Sequence, residues 1–245
     1  MRKNSLALHR TDGVKPLAEK LSSLNGEGLR KRSWWESFIK RFIDVAVALF
    51  VLIVGFPFFL SIALLIKLTS RGPVFFTQKR IRENARTFVL YKFRTMKTGA
   101  DDTLHREFTR HFIQGRIPYS GLDESDSGTY KLKNDPRVTA VGNFLRKTSL
   151  DELPQFINIL KGEMTIVGPR PPLQYEFDCY EEWHKLRMKV KPGLTGLWQV
   201  SGRSRVPFNE MVMLDLYYIE HWSLLLDLRI MYKTLPVMLA GTGGY

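Results

Sequence analysis

The sequence predicts a mixed α/β (α+β) fold: a small domain carrying a re-entrant membrane helix hairpin, with amphipathic helices that lie at the interface. Three observations carry this expectation. The hydrophobic fraction is an ordinary 44%, yet the apolar residues concentrate in one run over residues 42–66, which is a membrane signature and not a property of the whole chain. The rest alternates between short strand-like and helix-like segments. The formal net charge of +13 calls for an anionic partner: nucleic acid, acidic lipid headgroups or a phosphorylated substrate.

Taken in order, residues 1–33 are polar and mixed in charge with scattered Gly and Ser, which predicts a flexible N-terminal arm. No apolar stretch follows the first basic residues, so the arm does not read as a signal peptide. Residues 34–70 hold the apolar run. Its 25 residues would make a helix of about 37 Å, enough to cross a bilayer. Against a simple span stand Gly55 and Pro57 near its middle. Basic residues also flank both ends, Lys40 and Arg41 before it, and Lys67, Arg71, Lys79 and Arg80 after it. Broken at Gly55-Phe56-Pro57, the run has arms of about 21 and 16 Å, too short for a hydrocarbon core of about 30 Å. A hairpin with both ends on one side satisfies both facts, and a proline-kinked span is the competing reading.

Residues 73–93 predict two short strands joined by a turn at Glu83-Asn84. Residues 98–130 are polar, with Asp101-Asp102 and the cluster Asp123-Glu124-Ser125-Asp126, and read as a surface insertion or lid with one helix near 101–113. From Asn134 the texture predicts a helix, a turn, a second helix, a strand and a Pro-rich loop. The segment 191–203 reads as a Gly-rich turn, followed by a helix over 208–220. The last apolar run is broken by Asp227, Arg229, Lys233 and Pro236, which argues against a second deep span. Its Trp and Tyr beside basic residues suit a helix lying in the interface, and a core helix explains it equally well.

The candidate chemistry centres on Thr148-Ser149-Leu150-Asp151-Glu152-Leu153-Pro154. One reading is a helix start, with Ser149 capping and Glu152 reaching back as a capping box. The other is catalytic: a helix N-terminus keeps Asp151 ionised and able to attack an electrophile, while Glu152 holds a divalent ion. Basic residues surround the segment in sequence, namely Lys92, Arg94, Arg146, Lys147 and Arg170. The last sits in Gly168-Pro169-Arg170-Pro171-Pro172, whose prolines stiffen the backbone around a guanidinium suited to phosphate. The sequence contains no G-x-G-x-x-G, P-loop, H-E-x-x-H or C-x-x-C, so dinucleotide, P-loop and common zinc chemistry lose their best support. Cys179 is the lone cysteine, and the five histidines are dispersed.

Several motifs in series resemble the bacterial sugar transferases, or monotopic phosphoglycosyl transferases. They are Lys40-Arg41-Phe42-Ile43-Asp44, Arg71-Gly72-Pro73-Val74-Phe75-Phe76 with Gln78-Lys79-Arg80, Tyr91-Lys92-Phe93-Arg94-Thr95-Met96, Ser149-Leu150-Asp151-Glu152-Leu153-Pro154-Gln155, Val167-Gly168-Pro169-Arg170-Pro171, and the stretch from Lys191 to Arg203. The resemblance covers about residues 38–245. It implies a re-entrant helix broken at Pro57, although this chain has Phe56 where the family often has Ser. It implies a cytoplasmic catalytic domain over 71–245 on the bacterial inner membrane. The implied reaction is ping-pong: Asp151 takes a phosphosugar from a UDP-sugar, releasing UMP, and undecaprenyl phosphate then accepts it. Glu152 is implied to bind Mg²⁺, and Lys92, Arg146 and Arg170 to meet phosphate or nucleotide. Arg94, Pro169, Pro171, Arg203 and Asp215 are carried as further substrate-binding residues. The expected partners are therefore the UDP-sugar, the undecaprenyl phosphate and the bilayer, with a homodimer as the candidate assembly and no nucleic acid. The rival from another class is a basic peripheral membrane scaffold whose carboxylates only cap a helix.

Overall fold

The computed structural model describes residues 29–30, 32–97, 103–114, 137–201 and 206–239. The arm expected over residues 1–33, all but its last few residues, and the acidic cluster at 123–126 lie outside this set.

Helix α1 spans Trp34–Val54 and α2 spans Phe56–Thr69. Ser33 starts α1 through a full capping box with Glu36, satisfying two otherwise orphaned N–H groups. The helices bend by 61° at Gly55. A Cβ on Gly55 would stand 2.4 Å from the Val51 carbonyl, so only glycine fits the corner, and Pro57 in the first turn of α2 supplies a preset φ where no N–H is needed. No single described helix is long and apolar enough to cross a membrane, whereas this bent pair passes by length and composition.

The bent pair is asymmetric. Phe42, Phe50, Ile53, Phe56, Leu60 and Leu64 are exposed, but α1 also carries Lys40 and Asp44, both buried. Two of the cations that flank the apolar run are bound to the domain. Lys40 Nζ lies 2.6 Å from Asp227 Oδ2. Arg41 donates to the carbonyls of Ile159 and Leu160 at 2.6 and 2.8 Å, capping a helix C-terminus.

Among the described residues, the domain beyond is helix-rich with two small sheets. Strands β1 (Phe75–Ile81) and β2 (Thr87–Phe93) form an antiparallel ribbon. Its turn places Asn84 and Ala85 at φ 58° and 55°. Helix α3 (Thr103–Ile113) follows, inside the polar stretch that was expected to hold one. Helices α4 (Ala140–Lys147) and α5 (Gln155–Leu160) flank a single 3₁₀ turn, Leu150–Glu152. Strand β3 (Thr165–Val167) leads through the Pro-rich loop to the one-turn helices α6 (Gln174–Phe177) and α7 (Glu182–Lys185). Strand β4 (Gly193–Thr195) pairs in parallel with β3.

The expected Gly-rich turn over 191–203 thus contains a strand and a short helix, α8 (Leu197–Ser201). The glycines there serve close approach: a Cβ on Gly193 would stand 2.1 Å from the Gly168 nitrogen. Helices α9 (Phe208–Glu220) and α10 (Leu224–Leu239) close the fold. The core gathers Ile159, Met164, Val212, Leu216 and Ile230. Leu225, Leu228, Tyr232 and Leu235 leave an exposed apolar stripe on α10.

Candidate active site

The acidic pair does not begin a regular helix. Helix α5 starts only after Pro154, so Asp151 and Glu152 fall in the preceding 3₁₀ turn. Ser149 adopts the left-handed conformation at φ 57° and makes no side-chain cap. Neither the capping box nor the helix-dipole expectation holds here, because Glu152 turns to Lys92 and a three-residue turn has no aligned dipole to offer. A non-glycine residue held at positive φ costs about 1–3 kcal/mol, and here that conformation directs the turn carrying both carboxylates.

Lys92, in β2, is the point on which they converge. Its Nζ lies 2.5 Å from Glu152 Oε1 and 3.9 Å from Asp151 Oδ2. Neighbouring positions on a turn point in different directions, but the longer Glu152 side chain reaches the same ammonium. Burial opposes ionisation of Glu152. Lys92, then Arg170 and Arg80, more than offset it, so the carboxyl sits below the ordinary glutamate value. Asp151 is 4% exposed, whereas Glu152 is only partly buried.

Strand β2 is held in place from its free edge by Asn158, which is fully buried. Its Oδ1 accepts from Tyr91 N at 3.1 Å and its Nδ2 donates to the Val89 carbonyl at 2.7 Å, so one side chain imitates a neighbouring strand. Arg146, at the end of α4, donates to Thr95 Oγ1 at 3.0 Å. The turn itself rests on the hairpin: Leu150 and Leu153 pack against a cluster of Ile62, Ile66, Phe93 and Leu145. The acidic pair is thus one side-chain layer from α2.

The loop bearing Arg170 is clamped at three carbonyls. Gly193 N donates to Pro169 O at 2.7 Å and Ile81 N to Pro172 O at 2.9 Å. The buried Arg80 donates to Pro171 O at 2.9 Å and faces Glu176 at 3.8 Å. Burial pulls the Arg80 guanidinium down to about 10, which leaves it charged at neutral pH. The sequence reading had placed Arg80 in a motif without giving it a role. Alternation puts it on the Lys92 face of the ribbon, but only the register between the strands reveals that.

Two predicted ligand residues are placed differently. Arg94, 4% exposed, donates to the carbonyl and the hydroxyl of Ser70 at 2.8 and 2.7 Å, fastening the end of α2 to β2. Asp215 is wholly buried and accepts from Arg187. Burial pushes its carboxyl up to about 6 against the pull of that guanidinium. Charges this deep require protein partners; each residue has one, and Arg94 Nη1 and Asp215 Oδ1 are left without a hydrogen bond. Arg203 lies outside the described residues.

Among the described residues no group of three or more His, Cys, Asp or Glu converges. Mg²⁺ does not need one, because it commonly takes one or two carboxylates together with substrate phosphates and water. Two adjacent carboxylates, one of them favoured as the anion, are hard oxygen donors of that kind, and the donor set fits.

With this geometry in hand, the comparisons with known proteins are direct. The family described as "Bacterial sugar transferase" matches residues 35–241. The chain is 44% identical over 206 residues to the exopolysaccharide production protein ExoY of Sinorhizobium fredii, covering 84% of this chain and 88% of that protein. It is 41% identical over 218 residues to an undecaprenyl-phosphate galactose phosphotransferase of Salmonella typhimurium, covering 89% of this chain and 43% of that protein. It is 39% identical over 204 residues to the UDP-glucose:undecaprenyl-phosphate glucose-1-phosphate transferase of Escherichia coli, covering 80% and 39% respectively. A match over nearly the whole described domain makes this protein a transferase that belongs to the bacterial sugar transferase family.

Proposed function

We propose that this transferase moves a sugar 1-phosphate from a UDP-sugar to undecaprenyl phosphate, releasing UMP, at the cytoplasmic face of the bacterial inner membrane. The step would open the assembly of an exopolysaccharide, capsule or O-antigen. One observation carries the reading: Asp151 and Glu152 share Lys92, within reach of the field of Arg170, one side-chain layer from a bent apolar hairpin. A water-soluble donor and a lipid acceptor need a site at that depth. The printed names of the Salmonella and Escherichia coli relatives point to the same substrates.

The chemistry divides between the two carboxylates. An Asp151 carboxylate oxygen attacks the β-phosphorus of the donor. The bond from that phosphorus to the bridging oxygen breaks, and UMP leaves with the electron pair. The product is a phosphosugar aspartyl ester. A phosphate oxygen of the lipid then attacks the same phosphorus, the bond to Asp151 breaks, and the carboxylate is restored as the polyprenyl diphosphosugar departs. Lys92 and Arg170 meet the charge on the transferring group, and fixed cations in a poorly solvated site do this at low reorganisation cost. Glu152 would hold Mg²⁺, which neutralises diphosphate charge when bound. The low exposure of Asp151 limits water near the ester and so favours transfer over hydrolysis.

The test is UMP release from a panel of UDP-sugars by detergent-solubilised protein with Mg²⁺ and undecaprenyl phosphate. Release that requires both Asp151 and Glu152, judged with Asp151→Asn and Glu152→Gln, supports the reading and identifies the sugar. No release from any UDP-sugar by folded, lipid-inserted protein refutes it.

A further inference from the structure

The ribbon β1–β2 has two unlike faces. On one, Phe75 stacks on Phe93 at 5.5 Å, and Phe93 meets Phe59 of α2 edge-on at 6.3 Å, so this face is seated on the hairpin. The other face carries Phe76, Gln78 and Arg80 along β1, because alternate residues share a face. In register, Phe76 stands opposite Lys92. Cross-strand partners hold their Cβ atoms about 5 Å apart on the same side. Phe76 is 46% exposed, while Lys92 is bound to the acidic pair. Along this face the surface passes from an open aromatic ring, past the Lys92 ammonium, to the buried Arg80 that clamps the Arg170 loop. From Phe76 to Arg80 is about 13 Å.

We propose that Phe76 is the subsite for the first isoprene units of the lipid acceptor, placing its phosphate at Lys92. This deepens the function proposed above and rests on it. The occupant is set by how abruptly the surface changes character. An anion site and an exposed aromatic ring are separated by one cross-strand pair, about 5 Å. A ligand there must change from phosphate to hydrocarbon over the same distance. A prenyl phosphate does, since its chain begins at the phosphate ester oxygen. A diacyl phospholipid interposes glycerol and two ester groups and does not match. Location agrees with this, because Phe76 follows Phe75, the first residue of the ribbon, whose ring packs on Phe93 and through it on α2.

The experiment is steady-state kinetics of the full chain in detergent with undecaprenyl phosphate, comparing wild type, Phe76→Ala and Phe76→Leu. UMP formed from the donor before any acceptor is added is read separately. Loss of one partly buried aromatic contact is expected to raise the KM for the lipid about tenfold in Phe76→Ala, with the KM for the UDP-sugar and the acceptor-free UMP burst retained. Phe76→Leu should stay within about twofold of wild type, since it keeps an apolar surface. An unchanged lipid KM in Phe76→Ala overturns the subsite, and so does an equal loss of the acceptor-free burst. Sedimentation with phosphatidylglycerol vesicles separates an anchor from a subsite: a fall in vesicle binding that accounts for the KM change also overturns it. Wild type that forms no UMP defeats the function itself, whereas active wild type with an indifferent Phe76→Ala defeats only the subsite.

Discussion

The seam joining α1 to the domain and the cluster around Lys92 are both made of buried or half-buried charges, yet they are wired differently. In the seam every carboxylate is saturated by short hydrogen bonds. Lys40 meets Asp227 at 2.6 Å, whose oxygens also lie 2.7 Å from the Tyr218 hydroxyl and 3.1 Å from Trp222 Nε1. Asp44 accepts from the Thr165 hydroxyl at 2.7 Å and from Ile166 N at 2.9 Å. Around Lys92 the charges are shared: one ammonium serves two carboxylates at unequal distances, and Glu152 feels three cations. A network saturated by short hydrogen bonds fixes a geometry. A shared set can redistribute, as the proposed phosphate transfer at Lys92 would require.

The comparison breaks most visibly at Asp151. Asp151→Asn should lower acceptor-dependent UMP formation by at least about a thousandfold, roughly 4 kcal/mol of barrier, while the thermal midpoint in detergent moves by only about 2–3 °C. The seam should answer the opposite way. Asp227→Asn leaves Lys40 buried without its counter-charge and should cost about 3–5 kcal/mol, seen as a fall of many degrees in the same melt with turnover per folded molecule retained. If Asp227→Asn melts like wild type, the seam does not hold the hairpin.

A position linking both behaviours is Asn158. Asn158→Leu strips Tyr91 N and Val89 O of their partner beside Lys92. It should cost about 1–3 kcal/mol for each orphaned group and depress turnover as well, both readable on one preparation.

A finer test uses pH. Glu152 has its folded value lowered, so its contribution to stability is present above the ordinary glutamate value of about 4.3 and is lost as pH falls through the lower folded value. The difference in melting temperature between wild type and Glu152→Gln should therefore be steady from neutrality down to about pH 5 and shrink below it. The smallest effect lies in the ribbon turn. Ala85→Gly relieves a residue at φ 55° in the short 3₁₀ turn that joins β1 to β2, and should stabilise by about 0.5–1 kcal/mol in a denaturant titration.

Much of the architecture was legible in advance because it follows from local chemistry. Gly55 and Pro57 within an apolar run marked the corner of the bent helix pair, since one tolerates close approach and the other resists continuing a helix. The ribbon around Glu83-Asn84 and the helix over 208–220 followed from alternation and helical periodicity. Strand β4 and helix α8 were hidden because three residues of Gly-Leu-Thr carry no periodicity, and the parallel partner β3 lies far off in sequence. The capping-box reading of Ser149 failed for a similar reason. Local spacing favoured it, but a distant lysine made the stronger contact.

By itself the sequence determined where the apolar run breaks, which acidic and basic residues lie near one another along the chain, and that the net charge is strongly positive, because charge, glycine, proline and periodicity act over a few residues. Only the tertiary structure decided which of those residues meet. It set Lys92 between Asp151 and Glu152, turned Arg94 and Asp215 inward as structural charges, and recruited Arg80 and Asn158 to hold the loop and the strand. The physical reason is that a buried charge or amide takes its partner from whichever segment the packed core brings within hydrogen-bonding distance, and strand register, not sequence spacing, selects that segment.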